Sequence, residues 1–304
     1  MQKGTKLILI TALVSGISVF INAFAVKGLN PFLFTTLKNA TVAAMLAPVL
    51  IMLKNKPCIV FEKKFIPTFI AIGLIGGSLP FFLYFYALAM IPAATAGFIH
   101  KTLFIWATLL AVFLLKERIN KFFFLACLLF LVGNYFMGQP SGSVGLAEAL
   151  ALAATILWAI ENVIARRLLM KEKITGLQVA FARMFYGSIF MVLGLFLFAP
   201  DSLYSSLQGV EGLHWLLLTS LLLVLYVATY YTGLKEIEVH KATSILLLAQ
   251  PITIVLSFAL GSGIKLSDAI GISFTLLGLF ALFGLSVLIN KTKHKVPCCT
   301  KVKH

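Results

Sequence analysis

The chain contains 304 residues, of which 61% are hydrophobic and 12% are charged, and its mean hydropathy is +1.03. These values exclude an ordinary soluble domain, in which about half of the residues are apolar and about a quarter are charged. The formal net charge of +15 would indicate a nucleic-acid partner in a soluble protein, but the placement of the basic residues predicts that no nucleic acid is bound.

Ten apolar stretches follow one another along the chain, each about as long as a bilayer crossing requires. A crossing helix takes roughly 20 apolar residues, because each residue rises about 1.5 Å and the hydrocarbon core is about 30 Å thick. We therefore predict an all-α membrane protein with ten transmembrane helices, at Leu7–Val26, Pro31–Leu53, Phe65–Met90, Pro92–Leu115, Phe122–Gly138, Val144–Ala165, Gly176–Phe198, Leu213–Leu234, Lys241–Leu260 and Ser267–Ile289.

The basic residues fall almost entirely on alternate connections between these helices. Of the 25 Lys and Arg residues, only Lys27 and Lys265 lie in connections on the other side, and Lys38, Lys101 and Arg183 lie within helices. The positive-inside rule therefore predicts that both termini are cytoplasmic. We expect an integral multi-pass protein, surrounded by lipids of a prokaryotic cytoplasmic membrane, because the chain carries no targeting extension.

The second half of the chain repeats the first at an offset of about 145 residues, with matches that pair Lys38 with Arg183, Tyr84 with Tyr230, Gly133 with Gly278 and, at a slightly shorter offset, Asn22 with Asn162. Because five helices is an odd number, the second half enters the membrane in the opposite direction. The sequence thus predicts two inverted five-helix repeats, over 1–140 and 141–290, and a basic cytoplasmic tail over 291–304. Inverted repeats are typical of secondary transporters.

Several short motifs accompany this order of helices. Lys38 and Arg183 stand early in the second helix of each half, and Gln250-Pro251 places a proline inside the ninth helix. Trp158–Arg167 runs from an aromatic residue to two basic ones, and Leu115–Ile119 is an acidic–basic turn after the fourth helix. Together these features resemble the EamA-like transporter family of the drug/metabolite transporter superfamily. The resemblance implies a carrier of small metabolites.

Two segments depart from the family's pattern. Phe104-Ile105 stands where the fourth helix of the family has a proline, so the sequence supplies no proline for a bend there. Gly261-Ser262-Gly263 stands in the second half at the place that Glu117 occupies in the first.

Polar residues recur within the helices at intervals that place them on one face. A spacing of seven residues is nearly two full turns, so each set forms a stripe. We predict that the stripes line a central cavity, whereas the alternative is that they form hydrogen bonds with neighbouring helices. The candidate cavity residues are Ser15 and Asn22 in the first helix, Glu148, Thr155 and Asn162 in the sixth, and Gln250 in the ninth.

Charged residues inside the spans offer sharper hypotheses. Lys101 lies about nine residues into the fourth helix, at a depth where a lysine costs roughly 2.5–3.5 kcal/mol to insert. We predict that it binds a carboxylate or another anionic group of the substrate, and the alternative is a structural ion pair with Glu148. Lys38, Arg183 and Glu117 are interpreted as structural or gating charges.

Glu161 lies 13 residues after Glu148 and therefore points away from that stripe. We expect it near the cytoplasmic end, paired with neighbouring basic residues, as another structural or gating charge. Either carboxylate is a candidate for proton coupling, because a desolvated carboxylate can titrate near neutral pH.

Aromatic and small residues complete the set of candidates. Trp158, Tyr226 and Tyr230 are predicted to contact the substrate, and packing between helices is their alternative role. The small residues at Gly73 and Gly77 indicate close helix packing and leave a homodimer open.

We predict a secondary active transporter of small metabolites that exports amino acids or related compounds by alternating access between its halves. The alternative is an organic-phosphate or nucleotide-sugar carrier of the same superfamily, because the intramembrane cations allow an anionic substrate. An intramembrane enzyme is a distant alternative, since the chain has only Asp201 and Asp268 as aspartates and no nucleophile motif within a span. No P-loop is present, and no cofactor or metal ion is predicted. Cys298-Cys299 in the tail has no specific metal-binding spacing.

Overall fold

A computed structural model of the chain describes residues 3–25, 30–53, 60–140, 145–171, 173–198 and 209–284. All regular structure in these ranges is helical, as the sequence predicts. The predicted basic tail, including Cys298-Cys299, and the residues between the two repeats at 141–144 lie outside the described residues.

In the part of the chain that the structure describes, ten apolar helical segments follow the predicted order. Nine are at least 18 residues long, and the remaining one has 17 residues. We number them α1 (Lys3–Ala25), α2 (Pro31–Met52), α3 (Ile66–Leu88), α4 (Ala93–Leu115), α5 (Phe122–Gly138), α6 (Leu146–Leu169), α7 (Gly176–Phe198), α8 (Gly209–Glu236), α9 (Val239–Ala259) and α10 (Leu266–Phe283).

The outer faces of these helices carry large apolar side chains, among them Phe113 at 77% exposure and Phe124 at 67%. A soluble monomer rarely exposes such continuous apolar surface. A bilayer would cover these side chains, and the fold is accordingly that of an integral multi-pass membrane protein.

The predicted helix ends differ from the observed ones where polar residues continue a helix beyond its apolar part. The apolar stretch predicts that the sixth helix ends at Ala165, but α6 continues to Leu169. Arg166 Nη1 donates to the carbonyl oxygen of Leu234 at 2.8 Å and also to that of Lys235, at the end of α8. These bonds satisfy carbonyl groups that a helix end leaves without partners.

The contact between α5 and α10 shows the inverted repeat directly. A Cβ atom at Gly133 would lie 2.8 Å from the carbonyl oxygen of Gly271 and from Thr275 Oγ1. A Cβ atom at Gly278, the repeat partner of Gly133, would lie 2.6 Å from the ring of Phe130. The same Cβ atom would lie 3.3 Å from the carbonyl oxygen of Ala126. Because Ala126 and Phe130 are the repeat partners of Gly271 and Thr275, the two glycines make matching contacts across a pseudo-two-fold axis.

The two halves pack into each other rather than side by side. Helix α1 packs against α8 and α9, and α3 packs against α6 and α7. Gly73 and Gly77 face Tyr186, Gly187 and Arg183 of α7. The small-residue motif therefore packs helices within one chain.

The fourth helix of each half is irregular at positions that are equivalent in the repeat. Helix α4 is interrupted at Thr102, and α9 passes through a short 3₁₀ turn at Leu246–Leu248. Pro251 explains the turn in α9, because a proline has no N–H to donate to the carbonyl four residues earlier. In α4 no proline is present, and the hydroxyl of Thr102 instead donates to the carbonyl oxygen of Ile99 at 2.6 Å.

Candidate functional site

The irregular parts of α4 and α9 border a central cavity of about 440 Å³. Side chains from α1, α3, α4, α6, α7, α8 and α9 line it, so both halves of the chain contribute. Discontinuous helices around a site between inverted repeats are the usual construction of a transporter binding site. The volume lies within the range of about 300–1,000 Å³ that small-molecule pockets occupy.

A second interruption, in α3, brings polar side chains to the cavity. Helix α3 breaks at Ser78, and Pro80 cannot donate to the carbonyl of Gly76. Trp158 Nε1 donates to this carbonyl at 3.1 Å, and Arg183 Nη2 donates to it at 2.8 Å. The proline thus fixes one tryptophan and one arginine at the cavity wall.

Glu161 and Arg183, one acidic and one basic, are neighbours in the cavity wall. A Cβ atom at Gly76 would lie 3.0 Å from Glu161 Cδ and 3.2 Å from Arg183 Nε, so both side chains pack on the same glycine. Tyr231 donates its hydroxyl hydrogen to Glu161 Oε1 at 2.5 Å. Glu161 is only 2% exposed, and its charge interacts with that of Arg183.

Two nitrogen atoms in the cavity wall have spare hydrogen-bonding capacity. Within the described ranges, Arg183 Nε and His100 Nδ1 are buried without a hydrogen-bond partner. Lys101 lines the same cavity and takes part in neither of the two ion pairs found among the described residues. An anionic group in the cavity would find cationic side chains available to bind it.

Aromatic rings form much of the remaining wall. The rings of Trp158, Tyr84 and His100 contact one another, with centroids 4.8–5.6 Å apart. Tyr226 and Tyr230 are stacked at 5.8 Å, and the hydroxyl of Tyr230 donates to Asn162 Oδ1. Ring faces attract cations, so this wall suits an ammonium group or an aromatic ligand.

Seven of the ten predicted cavity residues line this cavity. They are Ser15, Asn22, Lys101, Trp158, Asn162, Tyr226 and Tyr230. The structure thus brings together polar residues of α1, α4, α6 and α8 that lie far apart in sequence.

The other three predicted cavity residues lie elsewhere. Glu148 is in the first turn of α6, where its Oε2 atom accepts from the backbone N–H of Gly145 at 2.9 Å, because the N-terminus of a helix favours a carboxylate. The predicted pair of Glu148 with Lys101 is not among the ion pairs of the described residues. Thr155 is fully buried and donates to the carbonyl oxygen of Ala151 at 2.8 Å. Gln250 lines a separate, smaller cavity.

The four residues interpreted as structural or gating charges divide into two groups. Arg183 and Glu161 line the cavity, so Glu161 shares the cavity with Asn162 of the predicted stripe. Lys38 Nζ donates to Asn22 Oδ1 at 3.4 Å from outside the cavity lining. Glu117 accepts from the backbone N–H of Val239 at 2.8 Å, at the start of α9.

Sequence reasoning missed His100 and Tyr231 as cavity residues, whereas Thr243, which lies on the polar stripe of the ninth helix with Gln250, does line the cavity. Tyr231 follows Tyr230 directly, and helical periodicity alone would place neighbouring residues about 100° apart on the helix. The corner formed by α6, α7 and α8 accommodates both side chains. His100 lies two residues before the interruption at Thr102. Because α4 contains no proline, nothing in the sequence predicted an interruption there.

Comparison with known proteins agrees with this architecture. The profile of the EamA-like transporter family matches the chain twice, over residues 2–139 and 145–284. No curated protein matches the chain. A solved structure titled "Crystal structure of protein" superposes with a TM-score of 0.76 over 95% of this chain and 99% of its own, at 20% sequence identity, which shows a shared fold.

Proposed function

The chain belongs to the EamA-like transporter family, and from this premise we propose that it is a secondary carrier of small amphoteric metabolites of the amino-acid type. The observation that supports this substrate class is the pairing of opposite charges in one cavity. Lys101 and Arg183 would bind a carboxylate, while Glu161 and the neighbouring rings would bind an ammonium group.

The geometry also supports a mechanism of alternating access. The units that move in our proposal are the two repeats, residues 1–140 and 141–290. The cavity lies between them, and the interruptions at Thr102 and at Leu246–Leu248 let part of each fourth helix move separately from the rest. Exchange of the two repeats' conformations would then open the cavity to each side in turn.

Orientation and direction belong to the same proposal. The positive-inside rule supports cytoplasmic termini, and resemblance to family members that export amino acids supports export. Arg166, Arg167 and Lys171 lie on the side of the bundle where α1 begins, which is the predicted cytoplasmic side. The single-cysteine variants Lys3→Cys and Lys265→Cys, labelled with a thiol reagent that cannot cross the membrane, test the orientation.

A second candidate is a carrier of organic phosphates. Arg183 and Lys101 both line this cavity, and two cationic side chains around one cavity would also suit a phosphate group. Glu161 distinguishes the two candidates, because a phosphate gains nothing from a neighbouring carboxylate.

The test uses the purified full-length protein in detergent and in liposomes. Thermal stability is measured with amino acids, sugar phosphates, nucleotide sugars and organic cations, since a ligand of the folded state raises stability with its concentration. Counterflow of any stabilising compound is then measured. The variants are Lys101→Ala and Glu161→Gln, and the control is Lys265→Ala, which removes an exposed lysine at the start of α10.

We expect amino acids to stabilise the wild type and the control, and to lose this effect in both cavity variants. A sugar phosphate whose effect is lost in Lys101→Ala but kept in Glu161→Gln would favour the second candidate. Absence of stabilisation and of counterflow with every amino acid would contradict the proposed function.

A further inference from the structure

A second cavity of about 220 Å³ adjoins the central one. Val19 and Lys101 line both cavities, so the two are neighbours along α1 and α4. The rest of its lining comes from α4, α5 and α9. We refer to it as the side cavity.

Small residues create the space of the side cavity. Ala93, Ala94 and Gly97 form its α4 wall, and Gly138 faces them from α5. A Cβ atom at Gly97 would have no heavy atom within 4 Å, whereas every glycine that packs between α3 and α7 would bring a Cβ atom into close contact. Gly97 therefore borders open space and does not serve as a packing contact.

The side cavity offers few polar groups. The hydroxyl of Thr253 donates to the carbonyl oxygens of Gly16 and Ala249, both at 2.9 Å, so its hydrogen is already used within the helices. Gln250 and the shared Lys101 are the remaining polar side chains of the lining, and Phe98, Met137 and Ile254 supply apolar surface. Such a lining favours an apolar group that is attached to an anionic one.

We propose that the side cavity is a specificity subsite that receives the apolar side chain of the substrate while Lys101 binds its carboxylate. This inference rests on the proposed function, because it assigns the two ends of one amphoteric molecule to the two adjoining cavities. It names the substrate class as amino acids with a large apolar side chain, and Gly97 is the residue that keeps the subsite open.

Two glycine variants test the subsite. Gly97→Leu fills the side cavity without removing a contact, and Gly263→Leu is its matched control, because a Cβ atom at Gly263 also meets no atom within 4 Å but lies in the loop before α10. Binding to the full-length protein is measured by thermal shift and by calorimetry. The probes are glycine, alanine, leucine, norleucine and phenylalanine, together with straight-chain carboxylates from butyrate to octanoate.

For the wild type and Gly263→Leu, we expect each added methylene group to tighten binding about fourfold until the side cavity is full, from about 0.8 kcal/mol for each buried methylene. In Gly97→Leu this dependence on length should disappear, with norleucine and phenylalanine binding at least tenfold more weakly and glycine and alanine unchanged within twofold. Lys101→Ala should weaken the whole series.

The outcomes separate this inference from the proposed function. Equal affinities of Gly97→Leu and Gly263→Leu for every probe would overturn the subsite and leave amino-acid transport standing, as expected if a lipid chain occupies the side cavity. Alkanoates that lose affinity in Gly97→Leu, in a protein that binds no amino acid, would support an apolar subsite beside Lys101 but overturn amino acids as its substrates and, with them, the proposed function. A wild type that binds none of the probes would overturn both.

Discussion

Glu117, in the loop after α4, binds the first residues of α9 and so joins the two halves of the chain. Its Oε2 atom lies 2.9 Å from His240 Nδ1, and its Oε1 atom accepts from the backbone N–H of Val239 at 2.8 Å. The side chains of Glu117 and His240 are 8% and 3% exposed. A carboxylate from the first repeat thus caps a helix of the second, on the side of the bundle where α1 begins.

We expect Glu117→Ala to destabilise this end of the bundle. Loss of a side-chain cap costs about 0.5–2 kcal/mol, and the lost charge interaction with the helix N-terminus adds to it. Thermal unfolding of the purified protein measures the effect, and Glu117→Gln should fall between the wild type and alanine because its amide oxygen still accepts. Glu238→Ala is the matched control, since its pair with Lys241 is partly exposed and is worth little. Equal effects of the two alanine variants would contradict a cap by Glu117.

The hydroxyl of Tyr231 is expected to stabilise the folded protein through Glu161. Tyr231→Phe keeps the ring but leaves a buried carboxylate with one donor fewer, which costs about 1–3 kcal/mol. Tyr135→Phe, on an exposed ring, should change stability by less than about 0.5 kcal/mol. Unfolding of both variants in the same detergent makes the comparison, and an unchanged Tyr231→Phe would mean that the hydrogen bond contributes nothing.

Gly76 should tolerate no side chain, because Glu161 and Arg183 occupy the space beside it. Gly76→Ala must displace one of these charged groups, and overpacking of this kind costs about 1–3 kcal/mol. Gly97→Ala provides the control. Both glycines are helical, so the gain in helix propensity cancels when the stabilities of the two variants are compared. Of the two positions, only Gly97 has room for a methyl group. We expect lower stability for Gly76→Ala alone, measured by thermal unfolding of both variants without ligand. Similar stability of the two variants would show that the pair can move without cost.

Glu238, between α8 and α9, gives a small pH dependence of known sign. Partial burial raises the pKa of its carboxyl group, but the hydrogen bond from Lys241 and the nearby positive charges outweigh burial and hold the pKa below its usual value of 4.5. Its contribution to stability is therefore present above pH 4.5 and is lost as the pH falls through the lowered value.

Comparison of Glu238→Gln with the wild type between pH 3 and pH 8 measures this contribution. Because the pair is partly exposed, we expect a difference below about 0.5 kcal/mol at neutral pH that vanishes in acid. A difference that grows as the pH falls would contradict the assignment.

The ten helices and their inverted repeat could be predicted from the amino-acid sequence. Apolar length is a local property, because within a bilayer every backbone polar group must be satisfied inside its own helix. The matches of Lys38 with Arg183 and of Gly133 with Gly278 required only an alignment of the chain with itself. Helical periodicity placed Ser15 and Asn22 on one stripe. The cost of burying a charge identified Lys101 as a residue with a role inside the membrane.

Which polar groups share the cavity depends on how the helices pack in three dimensions. Glu148 and Glu161 lie on one helix and have the same chemistry, but Glu148 caps the N-terminus of α6 while Glu161 meets Tyr231 and Arg183 from other helices. Lys38 and Arg183 are equivalent in the repeat, yet only Arg183 reaches a carbonyl that Pro80 has left without its helical partner. Periodicity gives the face on which a side chain lies, whereas its partner depends on the packing of helices that are distant in sequence, and that packing determines its role.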